Sequence, residues 1–400
     1  MSGVTDGQSH IMPTYNRADL RFARGAGAWL ETEAGEKYLD FGSGVAVNTL
    51  GHAHPDLVAA LKAQAETLWH VSNLYRIPEQ EKLADTLCAT SFADLVFFSN
   101  SGAEAAEGMI KTMRKFHAAS GNPEKVTLIS FAGAFHGRTL AALAAAGNPA
   151  YLEGFGPAPE GFVQCAEFNI EAARALIDET TAGILIEPVQ GEGGVRNVGT
   201  AFLRELRALC DEKGILLGLD EVQCGIGRTG KLFAHEWAGI TPDVMAIAKG
   251  IGGGFPLGAV LTTKAVGSAM QAGSHGSTYG GNPLACTVGQ AVMDAVQADG
   301  FLDHVIDMAS YFRQQLARVI DENADVFKGL RGEGLMIGLE CVVPNMDLVT
   351  ALRDEKLLSV GAGDNTLRLL PPLNVTRDEI DVALNSIEKA CASLRDKKGE

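Results

Sequence analysis

The chain has 400 residues, of which 46% are hydrophobic and 20% charged, enough apolar chain for a large core plus a second unit. A formal charge of −16 argues against a nucleic-acid surface, which needs clustered Lys and Arg to release phosphate counterions. No stretch approaches the ~20 apolar residues of a bilayer helix, and the polar start Met1–His10 lacks the basic and apolar parts of a signal peptide.

These features predict a cytoplasmic protein. The seven cysteines support that reading, because they are scattered without a C-x-x-C pair and read as reduced thiols, not disulfides or zinc ligands. In chain order, Trp29–Leu30 and Lys37–Phe41 flank a Glu33-Ala34-Gly35 turn and predict a hairpin. His54–Trp69 carries Leu57, Leu61 and Leu68 on one helical face. Short apolar runs follow at Leu95–Ser99, Val126–Ser130, Gly183–Ile186, Ile215–Leu219 and Val244–Ala248, each ending at a polar or glycine-rich turn. Thr200 caps a helical run through Leu203, Leu206, Leu209 and Cys210 that Gly214 stops. Such alternation predicts an α/β sheet with helices on both faces and ligands at the strand ends. After Pro283 a helical pattern precedes strands at Gly334–Val342 and Thr366–Leu369, a smaller α+β unit. The expected division is an N-terminal segment, 1–52, packing with the small domain, a large domain, 53–285, and a small domain, 286–400.

The turns carry the chemistry. Asp220 ends the apolar run Ile215–Leu219, where a carboxylate is desolvated and needs a cationic partner. A protonated pyridine nitrogen is one such partner; an Asp capping the next turn explains the segment equally well. Lys249 ends Val244–Ala248 and is followed by Gly250 and Gly252–Gly254. Desolvation there would free a neutral amine for carbonyl chemistry, although phosphate or carboxylate binding suits it too. Ser101, Gly102 and Ala103 lie between a strand and an Ala-rich helical run, the arrangement of an anion site or of a plain helix cap. Phe135 offers a ring to stack on a heteroaromatic face, and Arg138 a fork for a carboxylate. Gly225-Ile-Gly227-Arg-Thr-Gly230 fits G-x-G-x-x-G, but two acids intervene after the strand and the helical pattern that follows is poor, so it reads as a loop. His235-Glu236 lacks a second histidine, and no metal site is supported.

Read in order, Asp40–His52, Asn100–Ala105, Phe135–Thr139, Glu187–Gly194, Asp220–Gln223, Lys249 and Gly276–Pro283 make the sequence similar to the class III, ornithine-type aminotransferases of fold type I over nearly its whole length. The resemblance implies an α/β fold with a large, mostly parallel seven-stranded sheet domain sandwiched by helices, plus a smaller α+β domain. It implies pyridoxal 5'-phosphate as cofactor, with Lys249 as its Schiff-base lysine, Asp220 on the pyridine nitrogen, Phe135 against the ring and Gln223 near the phenolic oxygen. Ser101, Gly102 and Ala103 would take the phosphate, joined by Thr278 from the other subunit of a homodimer with active sites at the interface. Within the family the chain most resembles members acting on N2-acetyl-L-ornithine and 2-oxoglutarate. By that resemblance Arg138 receives the α-carboxylate of acetylornithine, with Ser277 nearby; for glutamate, Arg138 takes the distal carboxylate and Arg368 the α-carboxylate. Glu192 would be the switch, pairing with Arg368 until glutamate arrives. Val45 stands where the ornithine-specific branch has a tyrosine, which favours an acylated amine. N-succinyl-diaminopimelate is expected as a second substrate. Rival readings are a family member specific for ornithine, succinylornithine or 4-aminobutyrate, an aminomutase, and a non-enzymatic nucleotide-binding protein using the Gly225 loop.

Overall fold

Seven strands form the central sheet, in the spatial order Leu95–Ser99, Gly258–Thr262, Val244–Ile247, Leu216–Asp220, Thr181–Ile186, Thr127–Phe131 and Phe162–Cys165. The computed structural model describes the backbone of residues 10–399 and side chains to residue 396; Met1–Ser9, and with them nearly all of the polar start, lie outside these residues. Only Gly258–Thr262 runs against its neighbours, so the sheet is mostly parallel. Its central strands are buried along their whole length, as expected when helices cover both faces. Two of the seven, Phe162–Cys165 and Gly258–Thr262, have no counterpart among the five apolar runs.

Close packing over this sheet depends on small residues at defined places. The helix Gly102–Ala119 buries Ala105, Ala106, Met109, Ile110 and Met113 against the strands. A Cβ at Gly183 would meet Met113 Cε at 2.5 Å, and one at Gly218 would meet Met113 Sδ at 2.9 Å. These glycines therefore set how closely the helix approaches, which brings its N-terminus to the edge of the site.

The helix Thr200–Lys213 starts after Gly199, which occupies the capping position, so Thr200 is its first residue rather than its cap; Gly214 ends it in a left-handed conformation. The predicted hairpin is present as Trp29–Thr32 paired with Lys37–Asp40, and Leu357–Leu358 adds to it in parallel. A separate antiparallel sheet runs in the order Phe327–Glu333, Met336–Cys341, Thr366–Leu369, Val360–Ala362. Its core draws on Leu39 and Phe41 from the N-terminal segment and on residues from Val305 to Cys391. The helix Pro283–Val296 packs into the large core instead, so the second core begins later than residue 286.

The loop Gly225–Gly230 joins the two parts. Arg228, fully buried, donates to Leu335 O at 3.3 Å and Pro371 O at 2.5 Å, while Leu335 N donates to Arg228 O. Burial lowers its pKa to about 9. The glycine pattern is thus that of a packed connection between two cores.

Candidate active site

Five chain segments leave the carboxyl ends of the parallel strands and meet around one cavity of about 270 Å³, lined by Gly102, Ala103, Phe135, His136, Gly137, Arg138, Glu187, Glu192, Asp220, Val222, Gln223 and Lys249. Eight of the twelve residues singled out from sequence are among them. Gly137 has φ 129°, and a Cβ there would stand 2.6 Å from the Ala103 Cβ. Only glycine lets the Phe135–Arg138 segment cross this close to the start of the helix. Gly102 is equally constrained, since a Cβ would meet Val222 Cγ1 at 2.7 Å.

Asp220 is the polar floor. Its Oδ1 accepts Val222 N–H at 3.0 Å and its Oδ2 lies 2.7 Å from His136 Nδ1, with both side chains buried. Burial works against a charged His136, but its hydrogen bond to Asp220 and the charge of Asp220 outweigh this and raise its pKa. Glu187, at the end of Thr181–Ile186, accepts Phe135 N–H at 3.0 Å and Gly191 N–H at 3.3 Å. Burial pushes its pKa up to about 7, against the pull of His136 and with the repulsion of Asp220.

Lys249 follows Val244–Ile247 with a left-handed backbone, φ 47°. Burial lowers its pKa and the nearby Arg368 lowers it further, over the opposing effect of Glu192, Asp220 and Glu187. The amine therefore gives up its proton more readily than an exposed lysine, in the same cavity as the Asp220–His136 pair. Above it, Arg368 on the strand Thr366–Leu369 donates from Nη2 to Glu192 Oε1 at 2.7 Å and from Nη1 to Gln223 Oε1 at 2.9 Å. Arg138 is exposed and stacks over Tyr151, 4.1 Å from the ring centroid, and Phe135, 5.5 Å.

Ser101 caps the helix Gly102–Ala119, its Oγ accepting Glu104 N–H at 3.2 Å. Ser277 and Thr278 do not line the cavity. They lie in a surface recess with Asn100, Lys111 and His275, where Ser277 Oγ accepts Gly280 N–H at 2.9 Å. Val45 sits in a turn in which Ser43, Gly44, Val45 and Ala46 all have positive φ. Asp40, whose Oδ1 accepts Gly42 and Ser43 N–H, holds that turn, and His52 holds Asp40.

Two members of the site lie inside the motifs Phe135–Thr139 and Glu187–Gly194 but carry no role from sequence. Glu187 gives the same signal as Asp220, an acid ending an apolar run. His136 gives none, because its partner lies 84 residues away.

A planar, anionic, electron-withdrawing cofactor suits this lining. Phe135 and Val222 both line the cavity, the start of the helix Gly102–Ala119 offers N–H groups suited to a phosphate, and Asp220 can meet a ring cation. His136 Nε2 is buried without a hydrogen-bond partner, a polar atom left at that end of the cavity for a ligand. Among the described residues no group of three His, Cys, Asp or Glu side chains is placed to hold a metal ion, and no helix is long and apolar enough to cross a membrane.

The family described as aminotransferase class-III matches residues 12–391. The acetylornithine aminotransferase of Brucella melitensis is 60% identical over 384 residues, covering 96% of this chain and 95% of that protein. Among solved structures, the ornithine aminotransferase of Toxoplasma gondii superposes with a TM-score of 0.93 at 30% identity, covering 98% of this chain and 94% of that one. An amine transaminase from an uncultivated Pseudomonas species, in its PLP-bound form, gives 0.90 at 29% identity, with 97% and 100% covered. The chain belongs to the class-III aminotransferases. It is a pyridoxal-phosphate-dependent enzyme with the α/β fold of that family.

Proposed function

We propose that the protein transfers the terminal amino group of N2-acetyl-L-ornithine to 2-oxoglutarate, giving N-acetyl-L-glutamate 5-semialdehyde and L-glutamate. The observation that carries this reading is the Arg368–Glu192 contact at 2.7 Å over the cavity that holds Lys249. A chain bringing only an amine to this point needs the arginine neutralised, whereas glutamate brings its own carboxylate. Glu192, partly exposed beside the buried arginine, can do both by swinging aside. The 60% identity to the Brucella melitensis acetylornithine aminotransferase supports the choice of donor.

Pyridoxal 5'-phosphate supplies an electron sink for the carbon that bears the transferred nitrogen. Asp220, oriented by His136, would meet the ring nitrogen. Phe135 and Val222 would lie against the ring, Gln223 would approach its phenolic oxygen, and Ser101, Gly102 and Ala103 would take the phosphate. Lys249 carries the cofactor, then acts as general base on the proton of the substrate carbon, a role that a depressed pKa favours. Arg138 receives the α-carboxylate of the acylated donor and the distal carboxylate of glutamate; Arg368 receives the α-carboxylate of glutamate.

The enzyme works as a cytoplasmic homodimer in arginine biosynthesis, with N-succinyl-diaminopimelate as a second donor. An exposed apolar group supports the dimer. Leu68, Trp69, Leu74, Tyr75 and Tyr279 are all 46% exposed or more. Asn73 donates to Ser277 O and Gly280 O, and His70 packs on Tyr279, so these side chains surround the Ser277–Thr278 turn. Exposed apolar side chains gathered at one place mark an interface, and covering this one would carry Thr278 and Ser277 to the neighbouring site. Turnover of N2-acetylornithine, ornithine, N2-succinylornithine and 4-aminobutyrate against 2-oxoglutarate tests the donor. The acylated ornithines lead in this account; ornithine or 4-aminobutyrate leading would refute it.

A further inference from the structure

In the proposed switch Glu192 releases Arg368 when a dicarboxylate arrives, yet its main chain is fastened at its own carbonyl and again two residues on. Its carbonyl accepts Gly363 N–H at 2.8 Å. Two residues on, Gly194 O accepts Arg331 Nη1 at 3.5 Å. Arg331 is itself held by Asp364 Oδ2 at 2.6 Å and by Glu340, and the same Asp364 oxygen lies 3.9 Å from Arg196 Nε. The packing leaves no slack. A Cβ at Gly363 would stand 2.8 Å from Glu192 O, one at Gly193 2.5 Å from Gly133 O, and one at Gly194, where φ is 107°, 2.8 Å from Gly363 O.

The strap that grips the turn, residues 361–364, runs directly into the strand Thr366–Leu369 that carries Arg368. Switch acid and arginine therefore share one support. With the main chain fixed, release of Arg368 is a rotation of the Glu192 side chain alone, and the closed pair re-forms at one defined place. A looser turn would spread the carboxylate over more positions, weaken its competition for Arg368 and uncover the arginine more often.

We propose that Arg331 and Asp364 are positioning residues that hold the Glu192 turn against Arg368 and thereby set the discrimination between a terminal-amine donor and glutamate. This rests on the proposed Glu192–Arg368 switch. Loosening the strap makes glutamate the relatively better substrate, whereas a merely structural contact would weaken both half-reactions alike.

The test uses the holoenzyme and the variants Asp364→Asn and Arg331→Met, with single-turnover kcat/KM measured separately for N2-acetylornithine and for glutamate. Asp364 has φ 55°, a conformation asparagine accepts readily, so that variant keeps the backbone should Arg331→Met fail to fold. The ratio of N2-acetylornithine to glutamate is expected to fall about tenfold, with the KM for glutamate unchanged or lower. A ratio within twofold of wild type in Asp364→Asn, or a parallel loss in both half-reactions, would overturn the proposal. Should wild type react with glutamate but not with N2-acetylornithine, the substrate reading fails; the same ratio, taken with whichever terminal amine wild type accepts, still decides the role of the strap.

Discussion

His136 Nδ1 and Asp220 Oδ2 lie 2.7 Å apart with both side chains shut away from water. A lone carboxylate at that depth would be costly, and the imidazole both hydrogen-bonds and orients it. This makes His136 a support for Asp220. His136→Phe keeps the volume of the ring and removes the hydrogen bond, which at a charged group contributes about 1.5–3 kcal/mol. The expected outcome is a loss in kcat/KM on the order of 10- to 100-fold together with weaker cofactor retention, read by titrating the apoprotein with pyridoxal 5'-phosphate. Unchanged affinity and rate would remove His136 from the site.

Glu187 gives a pH signature. Its folded pKa is about 7 and its ordinary value 4.5. Between these the folded protein holds a proton that the unfolded chain has lost, so this group's contribution to stability falls as pH rises through the window. Glu187→Gln should flatten the curve there and make the variant the more stable protein above pH 7, by no more than about 3 kcal/mol. Thermal melts of the two proteins at pH 5, 6, 7 and 8 provide the comparison.

The buried lysine has the opposite slope. Between its lowered folded pKa and the ordinary 10.5 the unfolded chain binds a proton that folded Lys249 gives up, so stability rises with pH through that window. Cofactor-free Lys249→Met should melt higher than cofactor-free wild type at pH 7 and lose that alkaline rise, while transaminating nothing. A lower melting temperature would mean that the amine is well paired and charged in the fold.

The two arginines separate by substrate. Removing Arg368 deletes the proposed buried partner of the 2-oxoglutarate α-carboxylate and should raise the KM for 2-oxoglutarate about 30-fold or more, since truncating one partner of a buried charge pair costs about 2 kcal/mol or more. Its effect on N2-acetylornithine should be smaller. Arg138→Ala should raise both constants, because each substrate presents a carboxylate to it. Equal effects of Arg368→Ala on the two substrates would contradict the switch.

The apolar group around Thr278 predicts assembly. Leu74 is 87% exposed, so Leu74→Asp costs the folded chain little but disrupts a covered interface. Light scattering should give about twice the chain mass for wild type and a shift toward single chains for the variant, with activity falling alongside. A fully active monomer would refute the shared site.

Much of the large sheet was legible because its central strands are short apolar runs that end in chemistry. Asp220 and Lys249 stood out as charges where burial forbids unpaired ones, and the cavity brings them together. The strand Gly258–Thr262 was hidden by the glycine-rich stretch before it and by its small side chains, and Phe162–Cys165 by its place at the sheet edge, where burial is partial. Glu187 obeys the same rule as Asp220, an acid ending an apolar strand, but the proline after it gives no local sign of the role its burial creates. The His136–Asp220 contact and the strap on Glu192 join residues far apart in the chain, and no local spacing encodes them.

The most direct measurement of the central claim is the fate of the terminal nitrogen. Wild-type holoenzyme is supplied with N2-acetyl-L-ornithine carrying 15N in the side-chain amine, together with unlabelled 2-oxoglutarate, and the products are read by mass spectrometry beside the Lys249→Ala variant. The label should appear in glutamate with wild type and remain in the donor with the variant. Labelled glutamate formed equally well without Lys249, or a wild-type enzyme that leaves the label in acetylornithine while aminating 2-oxoglutarate from another donor, would contradict the account.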